Sequence, residues 1–184
     1  ALKINPNFAG TYFNLGSTLQ DLDKYNEAIS YYQKAIQMNP NHVATHNNLG
    51  MAFNKLNKYQ EAIKCFQKAI QIEPDNLTSH WLSMNTFPVI YKNTKEIKFY
   101  RNRFENYIKK INQLLDTQTQ YTKQQIIDAI SSSTNFYLHY QGENDLKLQI
   151  KYAKLVEKLT QKIYPQFQQI IKIKKSTKFI KIGF

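Results

Sequence analysis

The chain has 184 residues, of which 42% are hydrophobic and 14% aromatic, so it is long and apolar enough to fold around a core. Five glycines and five prolines are too few for a many-stranded barrel or a glycine-rich nucleotide-binding sheet, and one cysteine excludes an internal disulfide framework. The formal charge of +12 is typical of nucleic-acid partners, yet only Arg101 and Arg103 are arginines, the residue that reads base edges most often. We expect an all-α, cytoplasmic protein with no membrane span and no specific nucleic-acid partner.

A sequence repeat organises the first part of the chain. Pro6, Pro40 and Pro74 recur at equal intervals, and segments 6–39 and 40–73 are identical at about 17 of 34 aligned positions. Each proline is expected to end a helix, because proline has no amide hydrogen and clashes with the preceding turn. The repeat therefore predicts two similar units, each a pair of helices.

Small and aromatic residues recur at matching places in both units. Gly16 and Gly50 lie on the predicted first helices, and Tyr32 and Phe66 lie on the predicted second helices. We predict that each large ring fills the space beside the glycine, where the two helices approach closely. The period and this placement resemble the tetratricopeptide repeat, which implies a right-handed solenoid.

The repeat also predicts how the chain begins. Ala1 occupies the slot of Ala35 and Ala69, which lies inside a second helix. We therefore expect residues 1–74 to form a partial repeat and two full repeats, with the chain a fragment of a longer protein.

Beyond Pro74 the pattern fades, and residues 75–176 are predicted to form a degenerate repeat helix and a helical connector. Residues 77–84 suit another first helix, although Met84 stands where glycine is expected. Asn93 with Glu96, and Thr122 with Gln125, are capping arrangements that predict helices over 94–116 and 122–130.

A last helix is predicted over 145–164, with five lysines at intervals of three and four residues on one face. Such a stripe can grip phosphate or acidic lipid, but we favour a solvated face whose stems shield apolar surface. Residues 177–184 alternate apolar and polar side chains, which predicts the first strand of a missing α/β lobe.

Four segments carry a narrower resemblance. After the repeats, the sequence at 85–91, 101–104, 134–142 and 178–184 is similar to bacterial members of the O-GlcNAc transferase and Spindly family. The resemblance implies a parent enzyme that transfers a sugar, GlcNAc from UDP-GlcNAc or else fucose, to Ser or Thr of an acceptor protein. Its catalytic lobes would lie beyond Phe184, so this fragment would be non-catalytic and hold no cofactor.

The same resemblance implies a binding role for two asparagines. Asn14 and Asn48 precede the Leu-Gly pair on successive first helices, the slot in which the family holds the backbone of an extended acceptor polypeptide. A side-chain amide suits this task because it both donates and accepts hydrogen bonds. Without the resemblance, both are ordinary polar residues on a solvated helix. In the third unit the slot holds Leu82, with Asn85 one turn later, so we expect the series to end there.

No catalytic or metal-binding pattern emerges from the sequence. His42 and His46 have the spacing of helical metal ligands, but they fall in a turn and in a packing slot, which favours packing. His80 and His139 have no evident partner, and Cys65 suits a half-buried structural thiol. The alternative to the enzyme fragment is a non-enzymatic tetratricopeptide adaptor that docks partner peptides, and homo-oligomers of either are left open.

Overall fold

The computed structural model describes residues 8–117, 120–134 and 142–166. All eight elements in these ranges are α-helices, which confirms the predicted all-α class for them. The expected partial repeat around Ala1, most of the 134–142 segment, His139 and the predicted strand at 177–184 lie outside the described residues. The helices are α1 (Ala9–Asp21), α2 (Tyr25–Met38), α3 (Val43–Lys55), α4 (Tyr59–Ile72), α5 (Leu77–Met84), α6 (Thr94–Asp116), α7 (Lys123–Ser131) and α8 (Leu146–Ile163).

The first four helices form two stacked pairs. Helix α1 packs on α2, α3 packs on α4, and each pair joins the next through α2 with α3 and α4 with α5. The first helices α1, α3 and α5 also contact one another in that order. The result is a solenoid in which α5 takes the place of the first helix of a third pair. The division of the chain at residue 74 stays a prediction.

Glycine and an aromatic ring hold each pair together. A Cβ atom at Gly16 would lie 2.7 Å from Cε1 of Tyr32, and one at Gly50 would lie 2.5 Å from Cε1 of Phe66. Both rings are fully buried. These distances leave no room for any side chain, which confirms the predicted close approach.

The turns inside the two repeats are also equivalent. Asp23 and Asn57 occupy the same place in successive repeats and adopt φ angles of 58° and 60°, in the left-handed region that short polar side chains tolerate best. The hydroxyl of Tyr25 donates to Asp23, and that of Tyr59 donates to Oδ1 of Asn57 at 2.6 Å. Each turn is thus closed by the first residue of the following helix.

Two histidines fasten the turns between repeats. Nε2 of His46 lies 2.8 Å from the carbonyl oxygen of Pro40, and Nε2 of His80 lies 2.9 Å from that of Pro74. The expectation that His80 has no partner was wrong, because His80 is the equivalent of His46 in the next repeat. A carbonyl only accepts, so Nε2 of each ring carries the proton.

The connector packs on the end of the solenoid around α5. Seven of the eight residues of α5 are buried, because α4, α6 and α7 all contact it, while α8 packs on α6 and α7. The predicted helix at 77–84 is confirmed, and Met84 is fully buried in the glycine slot. The shared core runs from Trp81 through Phe104 and Ile111 to Leu155 and Leu159.

Both predicted capping arrangements start their helices. The side chain of Thr122 accepts from the amide of Gln125, whose own side chain accepts from the amide of Thr122 at 2.8 Å. Oδ1 of Asn93 accepts from the amide of Glu96 at 3.0 Å. Local sequence therefore fixes where α6 and α7 begin.

The lysine stripe of α8 differs in part from the predicted solvated face. Lys151 pairs with Glu105 and Lys158 with Asp116, each at 2.5 Å, so two of its lysines bridge to α6. These pairs hold α8 along α6 on the outer side of the connector. No helix within the described ranges is long and apolar enough to cross a membrane.

The glycine contact predicts a large cost for a single methyl group. Gly50→Ala should lower the free energy of unfolding by about 1–2 kcal/mol in urea titrations, because the clash with Phe66 exceeds the gain in helix propensity. In a Phe66→Leu background the same change should cost almost nothing. An equal cost in both backgrounds would contradict the contact.

Burial of His80 predicts a dependence of stability on pH. Desolvation lowers the pKa of His80 below its usual 6.5, and nearby Lys110 adds to this, while the carbonyl of Pro74 and Asp75 oppose it. The unfolded chain therefore binds more protons as pH falls, so the free energy of unfolding should be greatest above about pH 6.5 and decline below it. His80→Gln keeps the donor without titrating, and urea titrations at pH 7.5 and 5.5 should show a smaller difference for this variant. Equal differences would rule His80 out as the cause.

Candidate functional site

The two asparagines predicted to bind polypeptide lie on adjacent first helices. Asn14 is exposed on α1, whereas Asn48 on α3 is half-buried and donates from Nδ2 to Oγ of Ser17 at 3.3 Å. The hydroxyl of Tyr32 also donates to Oγ of Ser17, at 3.4 Å. We call this surface, carried by Asn14, Ser17, Asn48 and Met51, the first-helix face, and the exposed Asp21 and Lys55 lie two turns beyond the asparagines on the same sides of α1 and α3.

The first-helix face changes at the third repeat. Leu82, in the slot of Asn14 and Asn48, is buried against Ala62 and Phe66, so the exposed series ends at the second repeat. Asn85, one turn further, is only 5% exposed. It caps the end of α5 and marks the point where the solenoid meets the connector.

A cavity of about 380 Å³ lies between α3, the end of α5 and the residues that follow α7. This size falls within the range of small-ligand sites, roughly 300–1,000 Å³. Its lining combines apolar side chains with uncharged polar ones and the charged Lys55. Among the lining residues are Met51, Leu82, Phe87, Asn54, Asn85 and Ser133.

Two of these polar side chains have no hydrogen-bond partner among the residues that the structure describes. Both amide atoms of Asn85 and the hydroxyl of Ser133 are buried and unpaired there. Buried polar groups are normally satisfied, since an unpaired one costs about 1–3 kcal/mol. Two residues that line the cavity therefore carry unpaired donor and acceptor groups.

The backbone around Asn85 is fixed by a buried arginine. Arg103 on α6 donates to the carbonyl and hydroxyl oxygens of Ser83 and to the carbonyl of Thr86, the last at 2.5 Å. Its guanidinium lies 5.5 and 5.7 Å from the ring centres of Tyr100 and Tyr107. Burial lowers the pKa of Arg103 to about 10, so it remains charged at neutral pH.

Cys65 and His42 have structural surroundings in the described residues, and metal ligands are not clustered there. The described residues contain no group of three or more His, Cys, Asp or Glu side chains able to hold a metal ion. Burial, with a smaller effect of Glu61, raises the pKa of the half-buried Cys65 to about 12, so it stays a thiol. His42 is hydrogen-bonded to Oγ1 of Thr45 at 2.6 Å rather than placed beside His46 as a ligand.

Sequence reasoning missed the cavity and the role of Arg103. The available signal for Arg103 was its place next to Phe104 on the apolar side of α6, where a cation must find buried acceptors. For Ser133 there was no signal, because its position depends on the indole of Trp81, which donates to the Ser133 carbonyl at 3.0 Å from a distant part of the sequence.

Comparison with known families supports the repeats. Residues 9–42 and 43–76 each match the family model described as Tetratricopeptide repeat. Residues 9–76 are two tetratricopeptide repeats. No curated protein matches the chain significantly.

Solved structures of similar fold support the helical-repeat architecture. One crystal structure of MamA superposes with a TM-score of 0.56 at 18% identity, covering 90% of this chain and 84% of that one. Another reaches 0.54 at 19% identity, covering 66% of this chain and 64% of that one. MamA from Desulfovibrio magneticus RS-1 gives 0.54 at 19%, covering 65% and 63%. The chain thus spans somewhat under two thirds of the latter two, and the likeness concerns the tetratricopeptide fold alone.

The role of Arg103 leads to a prediction about stability. Arg103→Leu should lower the free energy of unfolding by about 2–4 kcal/mol, because it leaves the carbonyls of Ser83 and Thr86 buried without donors. Arg103→Lys, which keeps the charge but loses the planar fork, should lose less. Urea titration followed by circular dichroism measures both. If the leucine variant lost less than about 0.5 kcal/mol of unfolding free energy, the hydrogen bonds of the Arg103 guanidinium would contribute little to stability.

Proposed function

We propose that this chain is a protein–protein interaction module that holds an extended polypeptide segment against the first-helix face. The observation that carries the proposal is the presence of two tetratricopeptide repeats whose adjacent first helices carry Asn14 and Asn48 in equivalent slots. The two asparagines are uncharged and polar, so they suit main-chain amides more than charged side chains. An adaptor or scaffold that docks partner segments is therefore our conclusion.

The chemistry of the two asparagines supports recognition of backbone rather than of particular side chains. A carboxamide offers two donors and one acceptor and can pair with a peptide group of any sequence. Asn14 is exposed and can do so at the surface, and Asn48, which donates to Ser17, also carries an oxygen that can accept. Two such groups on neighbouring helices would set the direction of a bound strand.

A narrower form of this proposal makes the same surface the acceptor-binding region of a protein O-glycosyltransferase. It rests on the Asn-Leu-Gly slots and the connector segments that resemble the O-GlcNAc transferase and Spindly family. The family match and the structural likenesses support the repeats and their fold and nothing narrower. The adaptor function is accordingly the better supported of the two.

The proposal is tested with selected peptides. A phage-displayed library of random peptides of about 12 residues reaches some 40 Å when extended, enough to cross three helices spaced about 10 Å apart. The best clone, synthesised with a fluorescent label, should bind the Asn14→Ala/Asn48→Ala variant at least tenfold more weakly in fluorescence anisotropy, because two amide contacts are removed.

The matched control removes the same chemistry from the other side of the solenoid. Gln33 and Gln67 are exposed at equivalent positions of the second helices α2 and α4. Gln33→Ala/Gln67→Ala should leave the affinity unchanged. Equal losses in both double variants, or none in either, would remove the binding function from the first-helix face.

A further inference from the structure

We propose that the cavity beside Asn85 is a second recognition site for the same polypeptide, and that it takes one uncharged apolar side chain together with the backbone N–H and C=O of one neighbouring residue. This inference rests on the proposed function and specifies the ligand at the end of the first-helix face that meets the connector. It concerns residues outside the Asn14 and Asn48 slots, and it involves the connector as well as the repeats.

The side-chain amide of Asn85 is unpaired within the described residues. Its Nδ2 and Oδ1 atoms are both buried and lack partners within the described part of the chain, so they require one acceptor and one donor from the same ligand. A residue in extended conformation presents its own N–H and C=O on the same side, as in a strand pair, and these two groups are the complementary donor and acceptor. The unpaired hydroxyl of Ser133, which lines the same cavity, can add a third hydrogen bond.

The backbone that carries Asn85 and Ser133 is held in place before any ligand arrives. Arg103 fixes the carbonyls of Ser83 and Thr86 on either side of Asn85, and the hydroxyl of Thr86 donates to the carbonyl of Leu82 at 2.8 Å. On the opposite wall, the indole of Trp81 fixes the carbonyl of Ser133. A rigid site loses little conformational freedom on binding, which favours affinity.

The walls of the cavity limit the chemistry of the ligand. Met51, Leu82, Phe87 and Val89 provide apolar surface, and Lys55 is the one charged residue among those that line the cavity in the described part of the chain. An apolar side chain fits such walls, and a basic one does not. The volume of about 380 Å³ accommodates a side chain with its peptide group.

The cavity is continuous with the first-helix face. Met51 lines the cavity and lies one turn beyond Asn48 on the same side of helix α3. An extended segment held at Asn14 and Asn48 can therefore continue into the cavity. Its bound side chain would lie where the repeats end and the connector begins.

Asn85→Leu separates a binding role from a structural one. Leucine has a similar branched shape, and it replaces a buried unpaired amide with an apolar group, so the midpoint of thermal unfolding should stay equal or rise. The affinity for the selected fluorescent peptide should fall at least tenfold. Asn106→Leu makes the same change at an exposed site on α6 and should leave the affinity unchanged.

A double-mutant cycle that combines N-methylated peptides with Asn85→Leu identifies the backbone N–H that Asn85 contacts. The selected peptide is synthesised as a series with one backbone amide N-methylated at a time. At one position methylation should weaken binding to the wild-type chain about tenfold, yet weaken binding to Asn85→Leu no more than about twofold, since the lost contact is already absent. Ser133→Ala serves as a second variant if Asn85→Leu unfolds, and it should weaken binding by about threefold or more.

The outcomes distinguish this inference from the function on which it rests. A library that yields no clone, or a clone insensitive to Asn14→Ala/Asn48→Ala, overturns the proposed function and this inference with it. A clone that depends on Asn14 and Asn48 but binds Asn85→Leu with unchanged affinity overturns this inference alone. The inference would also be overturned if Asn85→Leu weakened binding tenfold but every N-methylated peptide lost as much affinity for this variant as for the wild-type chain. The peptide backbone would then not be the partner of Asn85.

Discussion

A buried guanidinium governs how the two parts of this protein fit together. Among the described residues the two Nη atoms of Arg103 donate to the carbonyls of Ser83 and Thr86 rather than to a carboxylate, and the rings of Tyr100 and Tyr107 lie beside the guanidinium. Its buried Nε has no hydrogen-bond partner within the same residues. A charge in such surroundings is stable only while every acceptor stays in place. The end of α5 is therefore shaped by α6, and the third repeat depends on the connector for its geometry.

Much of the fold can be read from local and periodic patterns. The repeat period placed Gly50 against Phe66, and the capping residues Asn93 and Thr122 marked where α6 and α7 begin. These features could be predicted because each depends on residues close in sequence or related by one repeat. The partner of His80 follows the same period, and applying the repeat to His46 would have found it.

The site is predictable only in part, for a physical reason. The places of Asn14 and Asn48 on adjacent first helices follow from the repeat, but their role in binding stays a proposal. The burial of Asn85 does not follow from any local pattern, because it requires that the end of α5 and the residues after α7 meet. That meeting depends on contacts such as Trp81 with Ser133, which join segments of unrelated sequence.

The hydrogen bond from Trp81 has a practical consequence. It belongs to the sole tryptophan of the chain, whose side chain is 1% exposed and lies on α5, with the ring of Tyr152 from α8 tilted against it at 5.7 Å between ring centres. Intrinsic fluorescence excited selectively in the indole thus comes from one seam, that between the last repeat and the connector. If that interface opened, the tryptophan emission would change while the first two repeats kept their circular dichroism signal. The two ends of the molecule can therefore be followed separately without a label.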